Sequence, residues 1–285
     1  MANLKEIRNR IASIGSTMQI TSAMKMVSAA KLKKAQDAII QMRPYANKLT
    51  ELLQNLSSNT DTVESPYLIK REVKNVLIVA ITSNRGLCGG FNSNVIKETI
   101  RISKTDYADK NVMLFTVGKK GNDFLKKQFK VLSNHNEVYD QLTFANVSLI
   151  SEELMSLYAC AQFDKIIIVY NQFKNAATQL LQAEQFLPIV PKATQGNTAV
   201  NYIFEPNQAD IVAELIPKSL KIQLYKAIRD SFASEHGARM TAMHKATDNA
   251  TELRDALKLS YNKARQASIT NEILEIVGGA EALNN

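Results

Sequence analysis

The sequence predicts a mixed α+β chain in which its two ends form one long antiparallel helical coiled coil and a small α/β domain is inserted between them. Three observations predict it. Apolar residues fall on heptad positions from Leu4 to Leu56, three β-branched runs alternate with helical segments in the middle, and small and apolar residues recur at three and four toward the C-terminus.

In the first segment the heptad frame takes in Leu4, Ile7, Ile11, Ile14, Met18, Leu32, Ala35, Ile39, Met42, Ala46, Leu49, Leu53 and Leu56. Between Met18 and Leu32 it lands on Thr21, Lys25 and Ser28, so the seam turns polar. Pro44 lies inside the frame, with a cost of ~3 kcal/mol and a bend or break expected at "MRPY". A continuous helix of about 55 residues reaches roughly 80 Å. "SSNTDTVESPY" ends it, giving a first domain over 1–58.

The insert, 67–207, has strand candidates at 74–82, 111–117 and 164–170, with helices near 93–104, 119–128 and 145–161. That alternation predicts a mainly parallel sheet. "TQLLQAEQFLPIV" and "NYIFEP" read as strands at the sheet edge or as a connector. The third domain, 208–285, is helical: Ala246, Ala250, Leu253, Leu257, Ala264, Ala267 and Leu274 share a frame, which upstream meets Ile222, Tyr225, Phe232 and Met243 and is interrupted by Arg229, His236 and Arg239.

Pairing the two end helices antiparallel, with residue 58 beside residue 209, puts Met1 near residue 266. The two polar breaks then face each other, either as a hydrated, partner-facing window or as plain surface. Beyond 266 the chain has no N-terminal partner, yet Ile269, Ile273, Leu274, Ile276 and Val277 surround much of the helix. A helix apolar on most sides must be buried, by another molecule, by folding back on the insert, or by dimerisation.

Composition narrows the function classes. With 285 residues and 45% apolar content the chain can build a real core. Runs such as "VLIVAI" fall short of the ~20 residues that cross a bilayer, and "MANLKEIRNRI" has no signal-peptide hydrophobic segment, so a bacterial cytoplasmic context is expected. The two cysteines, Cys88 and Cys160, are far apart and suggest reduced thiols. A net charge of +8 points to an acidic partner: nucleic acid, anionic lipid or acidic protein loops.

"SNRGLCGGFN", 83–92, follows the first strand candidate, where glycine loops cradle phosphates in nucleotide-binding folds. Its spacing, Gly86, Gly89, Gly90, matches neither a dinucleotide fingerprint nor a Walker A loop. Catalytic groups are sparse. His135, His236 and His244 form no metal-ligand spacing, and no G-x-S-x-G elbow occurs. Carboxylates such as Glu152, Glu153, Asp248 and Glu252, and the pairs Lys33–Lys34, Lys119–Lys120 and Lys126–Lys127, read as solvated faces; Trp is absent and aromatic interleaving for nucleic acid is missing.

Three stretches closely resemble one family: "ITSAMKMVSAAKLKKAQ" (20–36), "SNRGLCGGFN" (83–92), and "ASEHGARMTAMHKATDNA" (233–250) with "YNKARQASITNEILEIVGGAEAL" (261–283). In order, spacing and length the whole chain resembles the γ subunits of rotary ATP synthases, the central-stalk rotors. The resemblance implies an antiparallel helical shaft with a Rossmann-like α/β foot whose glycine loop binds no nucleotide. It also implies a noncatalytic subunit without cofactor or metal, which couples proton flow to ATP synthesis or hydrolysis by rotating inside a ring of three α and three β subunits, and which regulates ATPase activity and proton flow. By the same resemblance, Met24 and Lys25 face the catalytic subunits' acidic lever loop, Arg239, Arg265, Gln266, Thr270 and Glu272 make rotor-to-ring contacts, and the region of Tyr202 rests on the ε subunit and the membrane c-ring. The δ subunit belongs to the same complex, no nucleic acid is implied, and the place is the cytoplasmic face of the bacterial inner membrane, held peripherally through partners. Asn84 stands where the family commonly has Asp, and the cysteine-bearing insert of chloroplast relatives is missing. Two other classes remain open: a cytosolic α/β enzyme with a nicotinamide or nucleotide cofactor and helical arms for oligomerisation, and a basic coiled coil on nucleic acid.

Overall fold

The computed structural model describes residues 4–57, 65–189 and 208–283; Tyr202 and the expected strand "NYIFEP" lie outside them. The chain divides into two compact units, Met1–Ser28 with Met240–Asn285, and Ala29–Arg239. Helix α1, Leu4–Ser57, and helix α5, Gln208–Leu283, each contribute to both.

In the first unit α1 and α5 pair antiparallel. Ile7, Thr21, Ser28 and Met243 are buried, and Leu4, Ile11, Ile14, Met18, Ala246, Ala250, Leu257, Tyr261 and Ala264 are half-buried. Equal rise puts Thr21 near residue 246; the observed partner is Thr247, at 2.8 Å between hydroxyl oxygens. Arg8 Nη2 donates to Tyr261 Oη (2.9 Å), and Thr251 Oγ1 donates to Met18 Sδ (3.2 Å). Leu253, expected in the seam, is exposed instead; Ala267 and Leu274, past the residue where α1 was expected to run out, are exposed as well. The seam instead follows Met243, Thr247, Ala250, Arg254, Leu257, Tyr261 and Ala264, a regular four-three alternation offset from the frame through Ala246 and Leu253.

In the second unit α1 runs through Pro44 without interruption. Pro44 and Ile40, whose carbonyl loses its intrahelical donor, both lie on the exposed side of the helix. On the other face Ala46 and Leu49 bury themselves against Ile222 of α5.

The insert is a five-stranded sheet, β1 Asn75–Ile81, β2 Asn111–Val117, β3 Val131–Asn134, β4 Lys165–Phe173 and β5 Gln179–Leu187, in the order β3-β2-β1-β4-β5. The first four are parallel, and β5 returns antiparallel along β4 as the edge. Helices α2 Phe91–Arg101, α3 Lys119–Leu125 and α4 Phe144–Ala159 connect the parallel strands. The near-continuous apolar runs of β1 and β4 are those of strands covered on both faces. One face, with Val76, Ile78 and Ala80, packs on Val95, Ile96 and Leu125. The other, with Leu77, Val79, Ile81, Ile166 and Ile168, packs on Val147, Ile150 and Leu154 of α4 and on Ile216, Leu220, Leu224, Ala227 and Ile228 of α5. Helix α5 thus supplies part of the insert's own core.

Candidate functional site

The glycine loop follows β1 and is closed from inside. Ser83 Oγ donates to Arg85 O (2.6 Å), and Asn92 Oδ1, on the first turn of α2, accepts from Ser83 N (2.9 Å). Asn92 Nδ2 donates to Ser83 Oγ (2.8 Å) and to Cys88 Sγ (3.3 Å). Leu87 and Gly89 have φ of 61° and 57°, so the backbone is left-handed on either side of Cys88, which is buried while Leu87 is exposed. Burial raises the Cys88 thiol above its ordinary pKa, which keeps it protonated.

What the loop presents to the rest of its unit is carbonyl oxygen. Arg239 Nη2, on α5, donates to Arg85 O (3.1 Å) and Gly86 O (3.2 Å). Its Nη1 pairs with Glu235 Oε1 at 2.6 Å and lies 3.4 Å from His236 Nδ1. Burial lifts the Glu235 carboxyl despite that guanidinium, and burial, with Arg239 and Lys31 adding to it, pushes His236 down to about 3. His236 is therefore neutral, and Nδ1 accepts from Arg239. Phe232 stacks on Tyr139 (6.2 Å) and meets the His236 ring edge-on (4.5 Å), while Tyr139 Oη donates to Thr82 O (2.8 Å) at the end of β1.

This arrangement departs from both readings of the polar break in α5, a hydrated, partner-facing window and plain surface. Arg239 and His236 are each 6% exposed, and Arg229 donates to Leu142 O (2.8 Å) and to Tyr225 Oη. The polar break in α5 faces the chain's own insert. Thr21 and Ser28 are also buried. Gly237 completes the contact: a Cβ there would lie 3.2 Å from the backbone of Ala176 in the β4–β5 turn, tighter than ordinary van der Waals contact, so the missing side chain eases the approach of α5.

A second buried group sits five residues before Glu235 on α5. Asp230 is 1% exposed, and neither of its oxygens has a hydrogen-bond partner. Burial pushes it up to about 6, Lys226 and Arg43 pull it down, and Glu184, which accepts from Tyr170 Oη at 2.7 Å, pushes it up. Sequence reasoning missed Asp230 and Glu235. The i, i+4 spacing of Glu235 and Arg239 was a readable sign of pairing, whereas nothing local marks Asp230 as buried.

The remaining predicted positions are dispersed. Met24 and Lys25 are half-buried on α1. Arg265, Gln266, Thr270 and Glu272 are exposed on α5, where Thr270 Oγ1 donates to Gln266 O (2.9 Å) and Ser268 Oγ to Glu272 Oε1 (3.2 Å). Around them Ile269, Ile273, Leu274, Ile276 and Val277 are all exposed, Ile276 to 72%. Among the described residues no cluster of three or more His, Cys, Asp or Glu is placed to hold a metal ion, and no helix is long and apolar enough to cross a membrane.

Comparison with known proteins gives a consistent answer. The pattern of the family described as ATP synthase matches residues 3–283. The chain is 67% identical over 285 residues to the ATP synthase gamma chain of Christiangramia forsetii and 69% identical over 287 residues to that of Flavobacterium johnsoniae, in each case covering 100% of both chains. Among solved structures it is similar to a chain of the Tetrahymena thermophila mitochondrial ATP synthase central stalk and c-ring, with TM-score 0.60, 26% identity, and 80% and 99% of the two chains covered. A chain of the Euglena gracilis mitochondrial ATP synthase has the same fold, with TM-score 0.72 at 21% identity and 98% and 94% covered.

Proposed function

The chain belongs to the ATP synthase gamma chain family, and from that premise we propose that it is the central rotor stalk of a bacterial ATP synthase. It couples proton flow through a membrane ring to ATP synthesis or hydrolysis by turning inside a hexamer of three α and three β subunits, and through that coupling it regulates ATPase activity and proton flow. The chemistry belongs to the hexamer; this chain is a noncatalytic part of the enzyme. The observation that carries the reading is the end of α5, where Ile269, Ile273, Leu274, Ile276 and Val277 form an exposed apolar stripe over about 160° of the helix. Such a surface calls for a sheath, and a ring of subunits around the shaft supplies one.

Rotation becomes chemistry through differential binding. Driving one catalytic site from 1:99 to 99:1 between two states takes about 5.5 kcal/mol, so the shaft must be stiff and its contacts must change with angle. Met24 and Lys25 on α1, and Arg265, Gln266, Thr270 and Glu272 on α5, are the residues we assign to those contacts. Arg239 is assigned a different part in coupling. Its guanidinium is occupied by Glu235 and the loop carbonyls, so it holds the glycine loop against α5. The loop accordingly serves as a packing device, with no nucleotide assigned to it. The foot, including the region of Tyr202, rests on the c-ring and the ε subunit, the δ subunit belongs to the same assembly, and the chain is held peripherally at the cytoplasmic face of the inner membrane.

The experiment is purification of the C-terminally tagged full chain from its own membranes under mild conditions, with ATP hydrolysis assayed. Two nucleotide-binding subunits of similar mass in threefold excess, with ATPase activity, are expected. Recovery of the chain alone, saturably binding a nucleotide, would overturn the reading.

A further inference from the structure

Thr21 and Thr247 place two hydroxyls in contact across the seam between α1 and α5. Thr21 is buried, its hydroxyl also reaches Met18 O (3.1 Å), and that of Thr247 reaches Met243 O (2.8 Å). Each hydroxyl has one proton, and either orientation works: one donates across the pair while the other donates to its own helix, leaving nothing unsatisfied. Thirteen residues toward the N-terminus of α1, Arg8 donates to Tyr261 in the same register.

A slip of one helical turn breaks this set in both directions. Moved one way, Thr21 faces Met243 and Arg8 faces Leu257, so a buried hydroxyl loses its cross-helix partner and a guanidinium meets an apolar side chain. Moved the other way, Thr21 finds Thr251, but Arg8 then faces Arg265, and like charges meet. The small and apolar residues elsewhere in the seam, such as Ala250 and Ala264, discriminate weakly between these registers.

We infer that Thr21 and Thr247 are positioning residues that fix the register of α1 against α5, giving up some apolar packing in exchange for a single alignment, as polar residues do in coiled-coil seams. For coupling, which rests on the rotor reading, a fixed register fixes which residues of the exposed tip face which direction at each angle.

The test is carried out on the full chain in its complex, with exposed Cys160 replaced by serine and Cys88 left buried. Cysteine pairs at 4 and 264 report the native register; pairs at 4 and 260 and at 4 and 268 report the slipped ones, read with a short thiol cross-linker, and leave Arg8, Tyr261 and Arg265 in place. In Thr21→Val with Thr247→Val the ratio of slipped to native cross-links is expected to rise about fivefold while the melting temperature stays equal or increases, since two isosteric apolar groups replace a satisfied polar pair. Thr21→Ser, which keeps the hydroxyl, is expected to restore the parent ratio. An unchanged ratio in the double valine chain overturns the inference. Protons pumped per ATP hydrolysed are measured in the same preparations. A raised ratio with unaltered pumping leaves the register inference standing and counts against the rotor reading.

Discussion

Arg239 lies one helical turn from Glu235 on α5, and the two form a 2.6 Å ion pair with both side chains less than a tenth exposed. Neither is dispensable alone, because removal of one buried charge strands the other. Arg239→Ala is expected to cost about 3–5 kcal/mol in denaturant unfolding of the chain, and Glu235→Gln less, since an amide still accepts from the guanidinium. Arg239→Lys keeps the charge and loses the fork that reaches Glu235 and the carbonyls of Arg85 and Gly86 together, so it should fall near Arg239→Ala. Parent-like stability in Arg239→Lys would show that the loop contacts contribute nothing.

Asn84 uses both halves of its amide: Nδ2 donates to Asn136 O (2.8 Å), and Oδ1 accepts from Lys119 N (3.0 Å). An ionised aspartate cannot donate, so Asn84→Asp sets a carboxylate oxygen against a carbonyl. A loss of about 1–3 kcal/mol is expected at neutral pH. Protonation restores a donor, so the deficit should shrink in melts taken below about pH 4. A deficit independent of pH would point to a cause other than the Asn136 bond.

The parts legible in the sequence were those with a local signal. Strands β1, β2 and β4 are runs of β-branched residues and stand close to their expected bounds, and the edge strand β5 was read from "TQLLQAEQFL". Strand β3 was missed: its four residues, "VLSN", carry no periodicity, and its pairing with β2 shifts register after Leu114. The exposed apolar residues of the tip were legible as a local excess in composition, although they form a stripe on one side of the helix and not a surface apolar on most sides. The polar break in α5 was misread for the opposite reason. Periodicity shows that Arg229, His236 and Arg239 leave the seam, but not that the loop at Arg85 and Gly86, some 150 residues away in sequence, supplies the acceptors. The glycine loop suffered the same ambiguity, since its glycines announce a close approach without saying whether phosphate or protein approaches.

Gly118, between β2 and α3, has φ 105° and ψ 142°, a region open essentially to glycine alone. A Cβ there would also lie 2.2 Å from Thr82 O. Strain and overlap add, so Gly118→Ala is expected to cost about 4 kcal/mol or to prevent folding. Gly278→Ala is the control: nothing lies within 4 Å of its Cβ position, and helix propensity should make the tip more helical by about 1 kcal/mol. Expression, unfolding and circular dichroism of both variants check the contrast, and equal stability of the two would refute it.

Asp230 and His236 titrate against each other. Burial pushes the Asp230 carboxyl up to about 6 from an ordinary 3.8, so between those values the folded chain holds a proton that the unfolded chain has lost. Its contribution is present below pH 3.8 and is lost as pH rises through about 6. His236, pushed by burial to about 3 from 6.5, has the opposite sense. Over that window the unfolded chain holds the extra proton, and stability is lost as pH falls below 6.5. In the parent chain the two slopes partly cancel. Asp230→Asn removes the compensating group, so its melting temperature should drop more steeply than the parent's between pH 7 and pH 5. His236→Gln should flatten or reverse that drop. The comparison uses slopes, so a constant cost from either substitution cancels; identical slopes in parent and Asp230→Asn would mean that Lys226 and Arg43 offset the burial and hold the carboxyl at its ordinary value.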